Sequence, residues 1–476
     1  MSSVKKNFSY NLILTLCGYI FPLITYPYVS RVLGVQNIGI CNFVDSIIQY
    51  FVLFSMLGIG SYGVREIARV RKDQNKLNTV FSNLFAINFI TSLVSVVVLV
   101  VCTYTVPKLV DYRPYLLIGV VKLVFEAFMI GWFFQGIQNF KYITIRSLIV
   151  RVLYVVGVFV FVKDSSDTLV YFILTAMVSL INGWINWVYS HHFVQINLRC
   201  LDFKPFIIPI LIFGYYRILT SMYTTFNTMF LGFSSGDIQV GYFATATKLY
   251  TIFLSVLSAF TTVMVPRVSE LLHDGKLEKL QWIANQTMSL VTVTSLPIII
   301  YCQFFAADII NLIAGQGYEG AIPPFRIVIC LLLIIGFEQI LIQQFLMASP
   351  NNKPITIVST VGAIVGVGLN ILLTPNLGAE GASVAWGASE FAVLVTGILY
   401  VNMNVGVKVP FKSILVDVMW SLLYLLPLYL IYSQNLDVWI RLILSGIVLI
   451  VVFFLINLFL HKNQLIVGVI SNLINK

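Results

Sequence analysis

The sequence is poor in charge. Asp, Glu, Lys and Arg make up only 10% of its 476 residues, whereas ordinary soluble domains carry roughly 25%. Hydrophobic residues make up 59%, and the mean hydropathy is +0.93. This composition excludes a soluble globular protein and predicts a membrane protein.

Residues that form disulfides or bind metals are also few. The cysteines have no C-x-x-C spacing and mostly lie within or beside apolar stretches, so we interpret them as small core residues. The histidines fall in predicted loops, which leaves no buried imidazole for a proton relay. No Gly-rich nucleotide-binding motif is present, and we expect no metal site and no cofactor. The residues concerned are Cys17, Cys41, Cys102, Cys200, Cys302, Cys330, His191, His192, His273 and His461.

Apolar runs of about 20 residues recur along the whole chain, each long enough for a helix to cross a bilayer. They lack the period-two alternation of barrel strands, so we predict an all-α, polytopic membrane protein. About fourteen spans are predicted: 10–30, 39–60, 79–101, 115–135, 148–162, 168–189, 207–230, 242–264, 284–305, 325–346, 355–374, 379–401, 413–432 and 440–460.

Basic residues are distributed unevenly among the predicted loops. If the N-terminus is cytoplasmic, 19 basic loop residues lie on the cytoplasmic side, and only Arg31, Lys108, Arg113 and Lys163 lie outside. The positive-inside rule therefore predicts that both termini are cytoplasmic. The net charge of +10 reflects this topology and anionic lipid headgroups, and is no argument for nucleic acid binding.

The chain contains an internal repeat. The stretch "VFEAFMIGWFFQGIQNFKYITIRS" (124–147) matches "GFEQILIQQFLMASPNNKPITIVS" (336–359) at ten of 24 positions, with an offset of 212. A second echo lies earlier in each half: Gly39 and Arg65 are 26 residues apart, as are Gly241 and Arg267, and each glycine follows a Leu-Gly pair, at 33–34 and 231–232.

The repeat unit is six helices. Because six is even, both units enter the membrane the same way round, as a parallel repeat. We predict bundles at 1–205 and 206–405, followed by two further helices in 406–476. Two such bundles enclose a cavity that rocking exposes to either side, which is the geometry of a transporter.

Several basic residues fall inside predicted spans, where each costs roughly 2.5–3.5 kcal/mol. Lys122, Arg217 and Lys248 are the deepest, between the mid-membrane and the outer third. A cluster of such cations favours an anionic, phosphate-bearing substrate, although Glu126 at i+4 is an alternative partner that neutralises Lys122. Arg151, Arg326 and Arg441 lie near span ends, where snorkelling to the interface is the favoured explanation. Arg151 and Arg326, together with Arg31 in an outer loop, are further candidates for the cationic cavity.

Acidic residues inside the spans are candidates for ion coupling. The repeat places Glu126 and Glu338 near the middle of equivalent helices, where a carboxylate can exchange a proton or bind Na⁺ during transport. A duplicated helix-packing hydrogen bond is the structural alternative. Asp45 and Glu390 are weaker candidates of the same kind.

The sequence resembles the polysaccharide-repeat-unit flippases of the multidrug/oligosaccharidyl-lipid/polysaccharide exporter superfamily. The resemblance covers spans 1 to 12 and rests on "FPLITYPYVSRVLGVQNIGICNF" (21–43), "WFFQGIQNFKYIT" (132–144), "VGYFATATKLY" (240–250), "VMVPRVSEL" (263–271) and "LGAEGASVAWGASE" (377–390).

The resemblance implies fourteen helices in two six-helix lobes plus two, and movement of undecaprenyl-pyrophosphate-linked oligosaccharides from the cytoplasmic to the outer leaflet of a bacterial inner membrane. It implies that Arg217 and Lys248 face the pyrophosphate and sugars while the polyprenyl tail stays in lipid. It further implies a monomer that uses a H⁺ or Na⁺ gradient, with a polysaccharide polymerase and a chain-length regulator as protein partners. One departure is Asn227, where relatives often carry Asp.

Three other functions stay open at this stage. Multidrug export by a sister branch is disfavoured by the buried cations, and a peptidoglycan-precursor flippase is disfavoured only by the motifs above. A membrane polymerase or ligase needs a sizeable outer catalytic loop. The longest outer loop here has about 20 residues and no histidine, so we expect no enzymatic activity.

Overall fold

A computed structural model describes residues 2–197, 201–347 and 353–460 of the chain. Within these ranges the secondary structure is entirely helical, which confirms the all-α class. Arg199, Cys200, His461, Lys462, Lys476 and residues 348–352 of the repeat lie outside them. The α-helices are α1 Ser2–Met56, α2 Ile59–Val70, α3 Gln74–Thr105, α4 Pro107–Val110, α5 Arg113–Glu126, α6 Gly131–Gly136, α7 Phe140–Phe161, α8 Thr168–Ser190, α9 Lys204–Ser221, α10 Thr225–Ser235, α11 Asp237–His273, α12 Leu277–Ile313, α13 Ile322–Ile329, α14 Leu331–Glu338, α15 Lys353–Val405, α16 Phe411–Ser421, α17 Leu425–Tyr432 and α18 Val438–Leu455.

Many of these helices have the length and the surface of membrane spans. In the described ranges, ten segments are long and apolar enough to cross a bilayer, and eleven if α9 and α10, bent by 49°, form one span. Large apolar side chains cover their outer faces, as shown by Ile208 at 68%, Leu372 at 67% and Leu426 at 67% exposure. Such a surface is stable only against lipid, so the chain is a multi-pass membrane protein.

The count differs from the predicted fourteen because some spans are continuous in the structure. Span 1 and most of span 2 lie in α1, interrupted by the non-helical Gly34, and spans 11 and 12 both lie in α15, interrupted by Gly378. Helix α11, which contains predicted span 8, is not among the ten segments. Fourteen crossings therefore stay a prediction.

The earlier sequence echo has a structural counterpart at two glycines. Gly34 has φ 76° and ψ 168°, and Gly236 has φ 84° and ψ 178°, values that only glycine adopts without strain. They are 202 positions apart, the same offset as Gly39 and Gly241. The structural equivalent of Gly34 is therefore Gly236, four residues after the Leu-Gly pair at 231–232.

The contacts divide the chain into two compact units, residues 1–244 and 245–476. In the first unit, α1 packs against α3, α5, α7 and α10, and α8 packs against both α5 and α7. In the second unit, α12 packs against α14, α16 and α18, and α15 packs against α13 and α14. The predicted bundle boundary at 205/206 stays a prediction about the repeat.

Two local features stabilise particular helices. The Asp73 carboxylate caps α3 by accepting hydrogen bonds from the backbone N–H groups of Asn75 and Lys76, and the bond from Lys76 lowers the pKa of Asp73. Arg441 of α18, interpreted from sequence as a snorkelling residue, instead pairs with Asp308 of α12 at 2.6 Å. Because both side chains are largely buried, this pair fixes α18 against α12.

Candidate functional site

Two adjoining cavities in the first unit meet at Arg217. One has a volume of about 300 Å³ and the other about 470 Å³, and both are lined by Met56, Tyr216 and Arg217. These volumes lie within the range of small-ligand sites. Arg217 projects from α9, and a β-carbon added at Gly60 of α2 would lie 3.1 Å from its Nη1. The absence of a side chain at position 60 therefore makes room for the guanidinium.

Arg217 is available to a ligand. It is exposed, and within the described ranges the structure gives it neither an ion pair nor a hydrogen bond. A guanidinium on a membrane-spanning helix needs an anion or water to compensate its charge. The arrangement therefore suits a negatively charged group that enters the cavity.

The larger cavity also contains a buried donor that lacks a partner. The Trp132 ring is 3% exposed, and its Nε1–H, inside the cavity wall, has no hydrogen-bond acceptor. Gln135 and Ser61 line the same cavity. Since a buried N–H without an acceptor is costly, this wall is prepared for a ligand that brings oxygen atoms.

The smaller cavity offers acceptors instead. Thr220, Ser221 and Thr224 donate their hydroxyl protons to backbone carbonyls one turn earlier, at 3.1, 2.7 and 3.0 Å. Each oxygen therefore keeps lone pairs for another donor. A ligand with anionic oxygens at one end and hydroxyl groups at the other matches the two walls.

The other predicted cations do not line these cavities. Arg151 donates to the carbonyl of Leu14 at 3.3 Å. Arg31 and Arg326 are exposed and Lys248 is half-buried, and both Arg31 and Lys248 interact with neighbouring groups. The contact of Arg217 with Gly60 places Arg217 near the end of predicted span 2, on the side that the charge count assigns to the cytoplasm. The sequence predicted a depth between the mid-membrane and the outer third, and that depth stays a prediction.

Lys122 forms an ion pair with Asp45 across α5 and α1. The neutralising partner of Lys122 is therefore Asp45 and not Glu126, the partner that its position at i+4 suggested. Glu126 accepts a hydrogen bond from Ser179 of α8 at 3.0 Å.

The equivalent position of the second repeat holds a pair of carboxyl groups. Glu338 is 8% and Glu390 is 4% exposed, their two carboxyl groups interact electrostatically, and Oε1 of Glu338 is buried without a hydrogen-bond partner. Trp386 Nε1 donates to Glu390 Oε1 at 2.7 Å. Glu390 and Ser179 are 211 positions apart, and Glu338 and Glu126 are 212 apart. The second repeat therefore replaces the hydroxyl donor of the first with a second carboxyl.

A π-helix follows Glu338 directly, over Gln339–Leu346. Its first residue is held on both sides, because Gln339 accepts from Thr261 and donates to Ser258, each at 2.8 Å. π-helices are rare and occur frequently at functional sites. The sequence analysis missed this π-helix, because no residue pattern predicts i→i+5 backbone hydrogen bonds.

Two further residues escaped the sequence analysis. Trp132 was part of a motif, but only the structure shows that it lines a cavity and that its N–H is buried without an acceptor. Asp417 of α16 is fully buried, and the signal that marks it is a single acidic residue within "SILVDVMW". In the described part of the chain no group of three or more His, Cys, Asp or Glu side chains is arranged to hold a metal.

The fold and the cavities are those of a helical membrane transporter. The chain resembles two solved transporters in structure. One is the lipid II flippase MurJ in an inward closed conformation, with a TM-score of 0.78 at 16% identity over 96% of this chain and 100% of that one. The other is a transporter of the MOP superfamily from Pyrococcus furiosus, with a TM-score of 0.56 at 15% identity over 83% and 96%. At these identities the likeness shows a shared fold.

Sequence comparison identifies the family. A model described as "Polysaccharide biosynthesis protein" matches residues 4–272, and a MatE model matches residues 214–372. Proteins named "Putative O-antigen transporter" from Escherichia coli (strain K12) and Shigella dysenteriae are each 23% identical over 84% of this chain and over 97% and 98% of their own lengths. The chain therefore belongs to the polysaccharide biosynthesis protein family of the exporter superfamily. It is a membrane transporter and not an enzyme.

Proposed function

We propose that the protein flips undecaprenyl-pyrophosphate-linked oligosaccharide repeat units from the cytoplasmic to the outer leaflet of a bacterial inner membrane, for O-antigen or capsule synthesis. The names of the two curated relatives support the substrate class. The observation that carries the proposal is Arg217, a guanidinium without an ion-pair partner at the junction of two cavities in the described structure. The basic loops favour cytoplasmic termini.

The chemistry of the two walls supports a lipid-linked sugar in particular. Arg217 and the Trp132 N–H present donors to phosphate oxygens, and the hydroxyls on α9 and at its C-terminal end present acceptors to sugar hydroxyls. A cationic drug has neither the phosphate oxygens nor the sugar hydroxyls that match these walls, and its positive charge would be repelled by Arg217. A multidrug substrate is therefore disfavoured.

The test is leaflet exchange of a fluorescent undecaprenyl-pyrophosphate oligosaccharide in liposomes that contain the purified protein. Charge-assisted hydrogen bonds to phosphate contribute about 1.5–3 kcal/mol, so Arg217→Gln should slow exchange about tenfold or more at subsaturating substrate. Arg267→Gln removes an exposed arginine that pairs with Glu270 and should change nothing. Equal exchange by Arg217→Gln and the wild type would exclude Arg217 as the headgroup ligand.

We further propose that Glu338 and Glu390 carry the coupling proton. Two buried carboxyl groups that interact with each other do not both stay ionised, so one of them holds a proton. They occur together only in the second repeat, where Glu390 stands at the position equivalent to Ser179. The Tyr250 ring packs edge-on against Trp386, with ring centroids 5.5 Å apart. The Tyr250 hydroxyl is buried and has no hydrogen-bond partner in the structure, so it is available to accept or donate a hydrogen bond when the proton moves.

Glu338→Gln tests the proton, because an amide still donates to Glu390 but no longer titrates. We expect exchange that is insensitive to an imposed pH gradient, while Glu380→Gln, on the same helix as Glu390 and exposed, keeps the wild-type response. If the wild type responds to a sodium gradient and Glu338→Gln does not, the coupling ion is Na⁺ and not H⁺. An unchanged pH response would leave the pair as a packing contact.

A further inference from the structure

A third cavity, of about 430 Å³, lies between the first turns of α7 and the last turns of α8. It shares no lining residue with the cavities around Arg217. Its walls contain two basic side chains, two tyrosines, an asparagine and three isoleucines: Lys141, Arg146, Tyr142, Tyr189, Asn139, Ile145, Ile149 and Ile185.

Arg146 is the buried cation of this cavity. The sequence analysis counted it among the cytoplasmic loop residues, but it lies in α7 and is only 8% exposed. Its Nη1 donates to Asn186 Oδ1, and its Nη2 donates to Ser147 Oγ at 3.1 Å. Both partners are neutral, and no carboxylate in the described chain forms an ion pair with it.

Two donors beside this charge have no acceptor. Arg146 Nε and Asn186 Nδ2 are both buried without a hydrogen-bond partner. A buried charge without an opposite charge is costly, and so is a buried N–H without an acceptor. Asn186 is fully buried behind the cavity, whereas Arg146 lines it. An anionic ligand in the cavity would therefore supply the opposite charge that Arg146 lacks.

Aromatic rings hold the guanidinium in place. The Arg146 Cζ lies 5.7 Å from the centroid of the Tyr142 ring, and that ring stacks on Tyr189 with centroids 4.0 Å apart. The Tyr142 hydroxyl donates to the same Asn186 oxygen at 3.2 Å. Because a stacked, hydrogen-bonded guanidinium loses little further freedom, the site is preorganised for an oxyanion.

The second copy of the internal repeat has an uncharged residue at the position equivalent to Arg146. The first copy has "KYITIRS" and the second "KPITIVS", and the two differ only at Tyr142 and Arg146, which the second copy replaces with Pro354 and Val358. Val358 is 1% exposed, so a small apolar side chain fills the equivalent position. The two residues that distinguish the first copy are the two that form the cationic wall.

We propose that this cavity binds the phosphate headgroup of an anionic glycerophospholipid from the surrounding bilayer. Ile145 and Ile149, at the mouth of the cavity, are 44% and 54% exposed on the membrane-facing side of α7, where acyl chains contact them. The exposed Lys141 lies at the end that the charge count assigns to the cytoplasmic leaflet. Free phosphate has the same oxygens but lacks the acyl chains. The proposal does not depend on the transported substrate.

Native mass spectrometry of the full chain, titrated with dioleoylphosphatidylglycerol, tests the site. Arg146→Val, the residue of the second repeat, should weaken binding of the tightest lipid about tenfold or more. Lys141→Gln at the exposed rim should weaken it about two- to threefold. Arg151→Gln removes an arginine of the same helix that does not line the cavity, and it should bind as the wild type does.

Two further arms distinguish the source of the phosphate. Glycerol 3-phosphate, added without lipid, should not protect the protein against thermal unfolding, whereas the phosphatidylglycerol should do so in the wild type and not in Arg146→Val. If glycerol 3-phosphate protects as well as the lipid, the lipid assignment is wrong. If Arg146→Val folds poorly, Lys141→Gln carries the test, and equal lipid occupancy in Lys141→Gln and the wild type overturns the proposal.

Discussion

The crossing of α1 and α11 leads to a sharp prediction about one glycine. A β-carbon added at Gly39 would lie 1.8 Å from the carbonyl oxygen of Asp237, and one added at Gly241 would lie 2.2 Å from that of Val35. The two contacts are reciprocal, since Val35 and Asp237 each follow one of the positive-φ glycines. Both clashes are with backbone, so no rotamer change relieves them.

The magnitude of the effect of Gly39→Ala follows from two opposing terms. Overpacking costs about 1–3 kcal/mol, and a backbone clash this short belongs at the upper end. Replacing glycine with alanine stabilises a helix by about 0.5–1 kcal/mol, because alanine loses less backbone entropy on folding. The crossed arrangement should therefore lose about 2 kcal/mol, which shifts the equilibrium about 30-fold toward states in which these helix ends are apart.

Hydrogen–deuterium exchange measures this shift directly. The backbone around Val35–Gly39 and around Asp237–Gly241 should exchange about 30-fold faster in Gly39→Ala, and Gly241→Ala should reproduce the pattern because the contact is reciprocal. Gly368→Ala is the matched control, since nothing lies within 4 Å of its added β-carbon. Wild-type exchange in Gly39→Ala, or a response in only one of the two variants, would refute the crossing.

Three further predictions follow from single contacts. Tyr112→Phe removes the hydroxyl that donates to both Asp237 oxygens, at 2.8 and 2.9 Å, and should accelerate exchange at Asp237 about fivefold; unchanged exchange would show that the hydrogen bonds contribute nothing there. Asp308→Asn should lower the free energy of unfolding by about 3 kcal/mol, because it leaves the buried Arg441 without its opposite charge. The double variant Asp308→Leu with Arg441→Met should recover most of this loss. Equal melting temperatures for the single and double variants would contradict this. Trp132→Phe keeps the ring but removes the N–H, and should raise the KM for the lipid-linked sugar about three- to tenfold without lowering thermal stability; a fall in stability instead would make Trp132 a packing residue.

The class of protein was predictable because it depends on local composition. Apolar runs of about 20 residues dictate helices in lipid, where every backbone group must be satisfied within its own segment. The repeat at an offset of 212 also predicted that Glu126 and Glu338 occupy equivalent positions. In the structure both lie near the end of a helix and contact the sixth helix of their repeat.

The partners of the charged residues were not predictable in the same way. Spacing along one helix suggested Glu126 for Lys122, but the pair forms with Asp45, 77 positions away. Depth within a hydropathy run predicted Arg217 between the mid-membrane and the outer third, but only the structure shows that it lies beside Gly60 and lines two cavities. Arg146 was assigned to a loop because the apolar run was taken to begin at residue 148, whereas α7 begins at Phe140.

The sequence by itself determined the solvent, the helical class, the family and the repeat, because hydrophobic length and residue identity are properties of each segment alone. Only the tertiary structure decided which charges are paired. It left Arg217 in an open cavity, brought Glu338 to Glu390 and buried Arg146 beside unpartnered donors. These arrangements depend on which helices pack together, and in a low-dielectric interior that proximity decides whether a charge is neutralised or left for a ligand.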